Sequence, residues 1–357
     1  MTLYVSIMTP RLDAKPWGGR RLERLGVALP AGDAIGEALV SANDARVARG
    51  AFMGQSLGEI VASGPDARLG AEARRAVTGR WIFQLLVKLI DATENLSVQV
   101  HPDDEHAQEL GQPGKTEAWY IVAAEPAAQL YLGIRPGVPL DVFHEAASRL
   151  DGSSAALMRT VPARPGSTVL IPAGTIHALG AGVIVYEIQQ PSDVTYRLDD
   201  WGRVDVSGNS REMHLEDGFA VSRPELIPEV IEPVALRAAT GTHHLLTACR
   251  YFSLERIALP AGGTIEVGVA GSPVVVTLLA GAATIGGEQV ETGTSAVVWP
   301  SSERAVLAAA RPMVALVAHV PDVAIDVVER ARAVGAEASA IAALGGPTGD
   351  VQAAMNP

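Results

Sequence analysis

Residues 166–182 read GSTVLIPAGTIHALGAG. Gly166 opens a short run rich in β-branched and apolar residues, the pattern of a buried strand. Pro172-Ala173-Gly174 ends that run in a tight turn. His177 follows three residues later, where the chain re-enters regular structure. A second stretch, residues 96–120, reads LSVQVHPDDEHAQELGQPGKTEAWY. Gln99 and His101 are two residues apart, so on a strand their side chains leave the same face. Glu117 lies at the start of the next apolar run. Two imidazoles (His101, His177), one carboxylate (Glu117) and one amide oxygen (Gln99) form a four-ligand set suited to a divalent metal such as zinc.

The rest of the composition is consistent with a β-rich scaffold around that set. The chain has 357 residues, 48% hydrophobic and only 4% aromatic, so its core is built from Val, Leu, Ile and Ala. Gly 36 and Pro 23 imply many turns. The formal net charge of -12, with no basic run, argues against nucleic acid or an anionic membrane as partner. An anionic substrate would need local Lys and Arg to overcome that field. The single cysteine, Cys249, excludes an intrachain disulfide and a Cys-based zinc site, and fits a reducing cytoplasm. No basic-then-apolar leader pattern and no apolar run of about 18 residues is present, so neither export nor a membrane span is expected.

Along the chain, Lys15-Pro16-Trp17-Gly18-Gly19 reads as a turn. Residues 56–77 have helical spacing: Leu57, Ile60 and Val61 share a face, then Leu69, Ala73 and Val77. Residues 81–89, WIFQLLVKL, read as a strand buried on both faces, with 91–95 as the turn that follows. Residues 102–118 read as a polar insertion whose acids (Asp103, Asp104, Glu105, Glu109) form a solvated loop or short helix. Residues 139–159 read as helix through Val142, Ala146, Leu150, Ala156 and Leu157. Pro224, Pro228 and Pro233 mark a linker. Beyond it, residues 244–320 show short strands between Gly turns. The expected organisation is therefore a metal-containing domain over 1–225 with helical insertions, a second β domain over 226–323, and an Ala-rich tail over 324–357, helical or disordered.

The Gly166-x5-Pro172-x-Gly174-x2-His177 pattern resembles the second motif of the cupin superfamily, a small β-barrel with a metal inside. Ala181 stands where that motif usually has Asn. Gln99-Val-His101 stands where His-x-His is usual, and Glu117 is displaced downstream by the acidic insertion. Together QVHPDD, GKTEAWY, IPAGTIHALGAG and EIQQPSDVTYRLDDWGR resemble type I phosphomannose isomerases in their short bacterial form, from about residue 17 to 319. The resemblance implies a mainly β fold of two cupin-like (jelly-roll) barrels with a small helical element. It implies interconversion of mannose 6-phosphate and fructose 6-phosphate. It also implies one Zn2+ per chain on Gln99, His101, Glu117 and His177, with Lys115 and Arg197 catalytic and Ser97, Lys115 and Arg197 binding the phosphosugar.

The residue chemistry is compatible with those roles. Moving a proton between C1 and C2 needs an acid/base and a cation near the developing oxyanion. Arg197 offers an always-charged fork, although it is also placed to pair with Asp199 or Asp200. Lys115 shares a strand face with Glu117, and Glu187 is an alternative base. Trp17 and Tyr186 either line the pocket or fill the core. In the second barrel Ala305 occupies the place of His177, so no metal is expected there. A cupin-type Fe(II) oxygenase or a non-catalytic sugar-phosphate binding protein are the alternatives. The partner is a small molecule, and the chain a monomer or small homo-oligomer.

Overall fold

The computed structural model describes residues 4–76, 80–204, 207–269, 271–301 and 303–356. The fold is mainly β, with three antiparallel sheets and a few short helices. A seven-stranded sheet runs in the order Val230–Ile231, Thr168–Ile171, Glu117–Ala124, Val183–Gln189, Leu86–Ala92, Glu37–Ser41, Arg11–Asp13. A five-stranded sheet runs Tyr196–Asp199, Val98–Val100, His177–Leu179, Gln129–Ile134, Met158–Pro162.

The two-residue period of a strand decides what each face meets. On the central strands of the seven-stranded sheet, Trp119, Ile121, Val169, Ile171, Val183 and Val185 face Leu130, Leu132 and Leu179 of the five-stranded sheet. Their sequence neighbours Ala118, Tyr120, Leu170, Ile184, Tyr186 and Ile188 turn the other way and pack in one core with Leu245, Trp299 and Leu316 of the C-terminal half. Both faces are thus buried, which accounts for the near-continuous apolar runs. Tyr186 belongs to this outer face and is fully buried there. Trp17 is buried on the inner side.

The third sheet has ten strands and carries most of residues 234–319. It also takes in Val5–Thr9 and Arg46–Gly50 from the N-terminus, the former paired with Ser295–Val298. The first fifty residues therefore contribute strands to both halves. Ala305 is buried in the apolar interior of this sheet beside Leu307, Ala309 and Val267.

Several local readings shift. The strand expected from residue 81 begins at Leu86 and continues through Asp91 to Ala92, while Trp81 is 54% exposed. Its partner strand ends at Gln189, and Pro191 has no amide to extend the ladder. Asp91 is no turn residue: it is buried and accepts from the backbone N–H and Nε of Arg21. The first helical insertion forms Leu57–Ala62, opened by a Ser56/Glu59 capping box, and Pro65–Ala76, broken at Gly70 with φ 73°. Val77 lies outside the described residues. In the second insertion only Leu140–Ala147 is α-helix. Phe143, Ala146 and Ala147 are buried and Val142 points outward. Gly152, at φ 85°, starts a separate short turn over Ser153–Leu157 that leads into a strand. The tail is folded among the described residues: Val327, Val328, Ala331, Ile341, Leu344 and Val351 pack into the core shared with the outer face of the seven-stranded sheet. No helix of the described residues is long and apolar enough to cross a membrane.

Candidate metal and catalytic site

The inner faces of the two smaller sheets bring the singled-out residues together. On the five-stranded sheet Gln99 is directly opposite His177 on one side and Arg197 on the other. These three side chains therefore form a row on one face. On the facing sheet Glu117 shares the inward parity of Trp119. His101 lies just past the end of its strand, and its carbonyl accepts from Gly174 N–H in the Pro-Ala-Gly turn. The turn that opens the strand of one histidine thus anchors the backbone of the other.

His101, Glu117 and His177 converge, with one ligand atom from each within 4.8 Å of the others, all buried. His101 Nε2 is 3.3 Å from Glu117 Oε2, and His177 Nε2 is 3.3 Å from Glu117 Oε1. The opposite ring nitrogens are 3.1 Å from the Val194 carbonyl and 2.9 Å from the Thr175 carbonyl. A carbonyl only accepts, so in each ring Nδ1 carries the proton and donates. A neutral ring of that tautomer presents the bare Nε2 lone pair to the carboxylate. Burial, and then Lys115, push the His101 ring down to about 3, so it is neutral. Glu117 is held well below the ordinary carboxylate range: burial raises it, but its neighbours, the Lys115 ammonium first among them, outweigh burial.

Both Glu117 oxygens are buried without an aligned hydrogen-bond donor among the described residues. The nearest positive charge is the Lys115 ammonium, 3.2 Å from Glu117 Oε2 and 3.0 Å from His101 Nε2. Two imidazole Nε2 atoms and a carboxylate gathered in a dry pocket, with a single ammonium serving both His101 and Glu117, make a donor set suited to a dication. The second-sphere carbonyls that fix the ring orientation are typical of metal-binding histidines. The residues fit a metal.

Gln99 Nε2 is 3.2 Å from His177 Nε2, and its Oε1 accepts from Ser97 Oγ at 3.4 Å. A half-turn of the amide exchanges its two ends, so the oxygen can equally face the imidazoles. Ser97 is buried on the same strand face as Gln99.

Arg197 is half-buried, and its guanidinium is free of the ion pairs weighed for it. Asp199 accepts from Gly152 and Trp201 N–H and from Ser154 Oγ. Asp200 takes Arg203 and Arg211. Arg197 Nη1 donates to the Glu212 carbonyl at 2.7 Å, and its Nε is buried with no partner among the described residues. Burial and then the charges of Arg211 and Arg203, opposed by Asp200, lower its pKa. Arg203 and Arg211 escaped the sequence reading. Arg203 sits in the DDWGR stretch, but its nearness to Arg197 is set by the loop after the strand.

A second set of buried charges lies on the same inner face. Trp119 Nε1 donates to Glu187 Oε2 at 2.9 Å, and Lys88 Nζ is 3.4 Å from Glu187 Oε1. Burial and the Glu117 charge raise the Glu187 pKa against the pull of Lys88. Lys88, hidden within an apolar run, gave no sequence signal beyond being a lone charge in it.

No family model matches the chain. It is 32% identical over 290 residues to mannose-6-phosphate isomerase ManA of Bacillus subtilis, covering 74% of this chain and 83% of that one. The chain belongs to the mannose-6-phosphate isomerase family. A mannose-6-phosphate isomerase of Streptococcus mutans is 34% identical over 224 residues, covering 59% of this chain and 65% of its own length. The crystal structure of the mannose 6-phosphate isomerase from Bacillus subtilis superposes with a TM-score of 0.76 at 26% identity, over 89% of this chain and 100% of that one. A mannose 6-phosphate isomerase solved with zinc and yttrium shares the fold at a TM-score of 0.67 and 15% identity, over 88% of this chain and 99% of that one.

Proposed function

We propose that this chain interconverts mannose 6-phosphate and fructose 6-phosphate through an enediol(ate), at one Zn2+ held by Gln99, His101, Glu117 and His177. The observation that carries this reading is the convergence of His101 Nε2, His177 Nε2 and the Glu117 carboxylate in one buried cluster. When bound, zinc would polarise and orient the C1 and C2 oxygens of the open-chain sugar. Lys115, which touches both His101 and Glu117, is placed to carry the proton between C1 and C2. Arg197, with an unused guanidinium edge beside Gln99, holds the negative charge that develops on the enediolate. Ser97 and the Arg203–Arg211 group offer donors for the phosphate, supplying the local positive charge that a chain of net charge -12 requires. Glu187, kept above the ordinary carboxylate range, is a second candidate for the base. Family membership speaks against the oxygenase alternative.

The chemistry is assigned to the barrel within residues 1–225, with 226–323 as a metal-free partner domain and the cytoplasm as the place of work. The test is a coupled assay of mannose 6-phosphate turnover by metal-free and zinc-loaded protein. Turnover that requires zinc is expected. Equal turnover by both forms would remove the metal from the reaction, and none by either would remove the reaction.

A further inference from the structure

Asp104 lies in the acidic insertion that reads as a solvated loop, yet its carboxylate is fully engaged. Oδ1 accepts from Gly114 N–H at 2.9 Å and from Gln190 Nε2 at 3.0 Å. Oδ2 accepts from Tyr251 Oη at 2.6 Å. Tyr251 comes from the turn between two strands of the ten-stranded sheet, 147 residues away in sequence. Gln190 is buried, and its Oε1 accepts from Thr116 N–H at 2.9 Å while its own N–H donates to Thr116 O at 3.1 Å. Thr116 stands between Lys115 and Glu117. Its hydroxyl accepts from Ala173 N–H in the turn that carries His177. On the far side, Arg250 stacks over the Tyr251 ring at 5.2 Å, and its N–H donates to Asp350 of the C-terminal tail.

From this relay we propose that Tyr251 is a positioning residue for the candidate metal site, acting from the second β domain through Asp104 and Gln190 on the Lys115–Glu117 segment. The assignment rests on the metal-site reading above. The phenol orients one carboxylate, the carboxylate orients the Gln190 side-chain amide, and the oxygen of that amide holds the Thr116 N–H, while the Gln190 backbone N–H holds the Thr116 carbonyl. Glu117 and Lys115 are consequently aimed from outside their own barrel, and the folded tail backs the aromatic ring that does so. Outer hydrogen bonds of this kind typically change metal affinity about 10–100-fold.

The experiment compares Tyr251→Phe, Asp104→Asn and the double variant with the parent. Three quantities are read: Zn2+ affinity by competition with a chromogenic chelator, kcat and KM separately, and hydrogen exchange of the Thr116 amide in metal-free protein. The expected result for Tyr251→Phe is about tenfold weaker zinc binding, a lower kcat with little change in KM, and at least about tenfold faster exchange at Thr116, in a protein that still unfolds cooperatively. The double variant should be no worse than the worse single one, because both cut the same relay. Unchanged exchange at Thr116 overturns the relay, whatever the metal does. Should the parent itself bind no zinc, the functional reading fails while the exchange result still decides the relay.

Discussion

Replacing His177 with alanine separates what the imidazole does for the fold from what it does for a metal. In metal-free protein His177 is fully buried and donates from Nδ1 to the Thr175 carbonyl at 2.9 Å. Truncation leaves that carbonyl unpaired and opens a small cavity, a cost of about 2–3 kcal/mol. For 357 residues the unfolding entropy is about 0.75 kcal/mol per degree. The metal-free Tm should therefore fall by about 3–4 °C. Zinc at about 100 times its Kd stabilises the parent by about 2.7 kcal/mol, a rise of about 4 °C. Loss of a ligand weakens binding by at least the hundredfold that outer-sphere changes reach. The same zinc concentration then sits near or below the new Kd, and the rise shrinks to about 0.5 °C or less. Differential scanning fluorimetry with and without zinc reads both numbers, and the coupled assay reads activity in parallel. A variant that keeps the full zinc-induced rise would refute the assignment of His177 as a ligand. So would a parent whose Tm ignores zinc.

Other consequences can be measured alongside. Arg197→Lys keeps the charge but loses the fork that serves the Glu212 carbonyl with one nitrogen and leaves Nε free. It should lower kcat/KM by about 10²-fold while Tm moves little; a loss under threefold would remove Arg197 from the chemistry. Glu255, buried on the ten-stranded sheet, is paired with Arg330 and His243. Burial raises its pKa, but the hydrogen bond from His243 and the charge of Arg330 together hold it below the ordinary range. A lowered folded value means that its stabilisation is complete above the unfolded value near 4.3 and is lost only as pH falls below it. Glu255→Gln should therefore cost about 3 kcal/mol in unfolding experiments at pH 7 and pH 5, with the gap closing only below about pH 4. A gap that closes between pH 7 and 5 would contradict this.

The candidate ligands were legible because their local frames are short. The period of two places Gln99 and His101 on one face, and the Pro-Ala-Gly turn marks where His177 re-enters the sheet. The apolar runs around Glu117 and Glu187 read as regular structure, and they are the strands at the centre of the seven-stranded sheet. Boundaries were legible only where a residue forbids continuation. Pro191 marks the end of the strand that stops at Gln189, whereas the helix read through 139–159 stops at Ala147, and the start of Leu86–Ala92 depends on where its partner strand begins to pair.

What remained hidden is what depends on distant partners. Arg11–Asp13 and Glu37–Ser41 join the seven-stranded sheet while the interleaved Val5–Thr9 and Arg46–Gly50 join the ten-stranded one, a choice made by the pairing of Val5–Thr9 with Ser295–Val298 at the other end of the chain rather than by composition. Asp104 reads as a solvated acid in sequence and becomes a junction only because Tyr251 and Gln190 reach it. Arg203 and Arg211 gain their place through Asp200, and the Ala-rich tail gains its fold by covering an apolar sheet face. The sequence alone determined which residues carry ligand chemistry and which face of a strand they share, since both follow from side-chain type and a fixed two-residue period. Only the tertiary structure decided how those faces meet, because strand register and long-range hydrogen bonds are set by packing the whole chain at once.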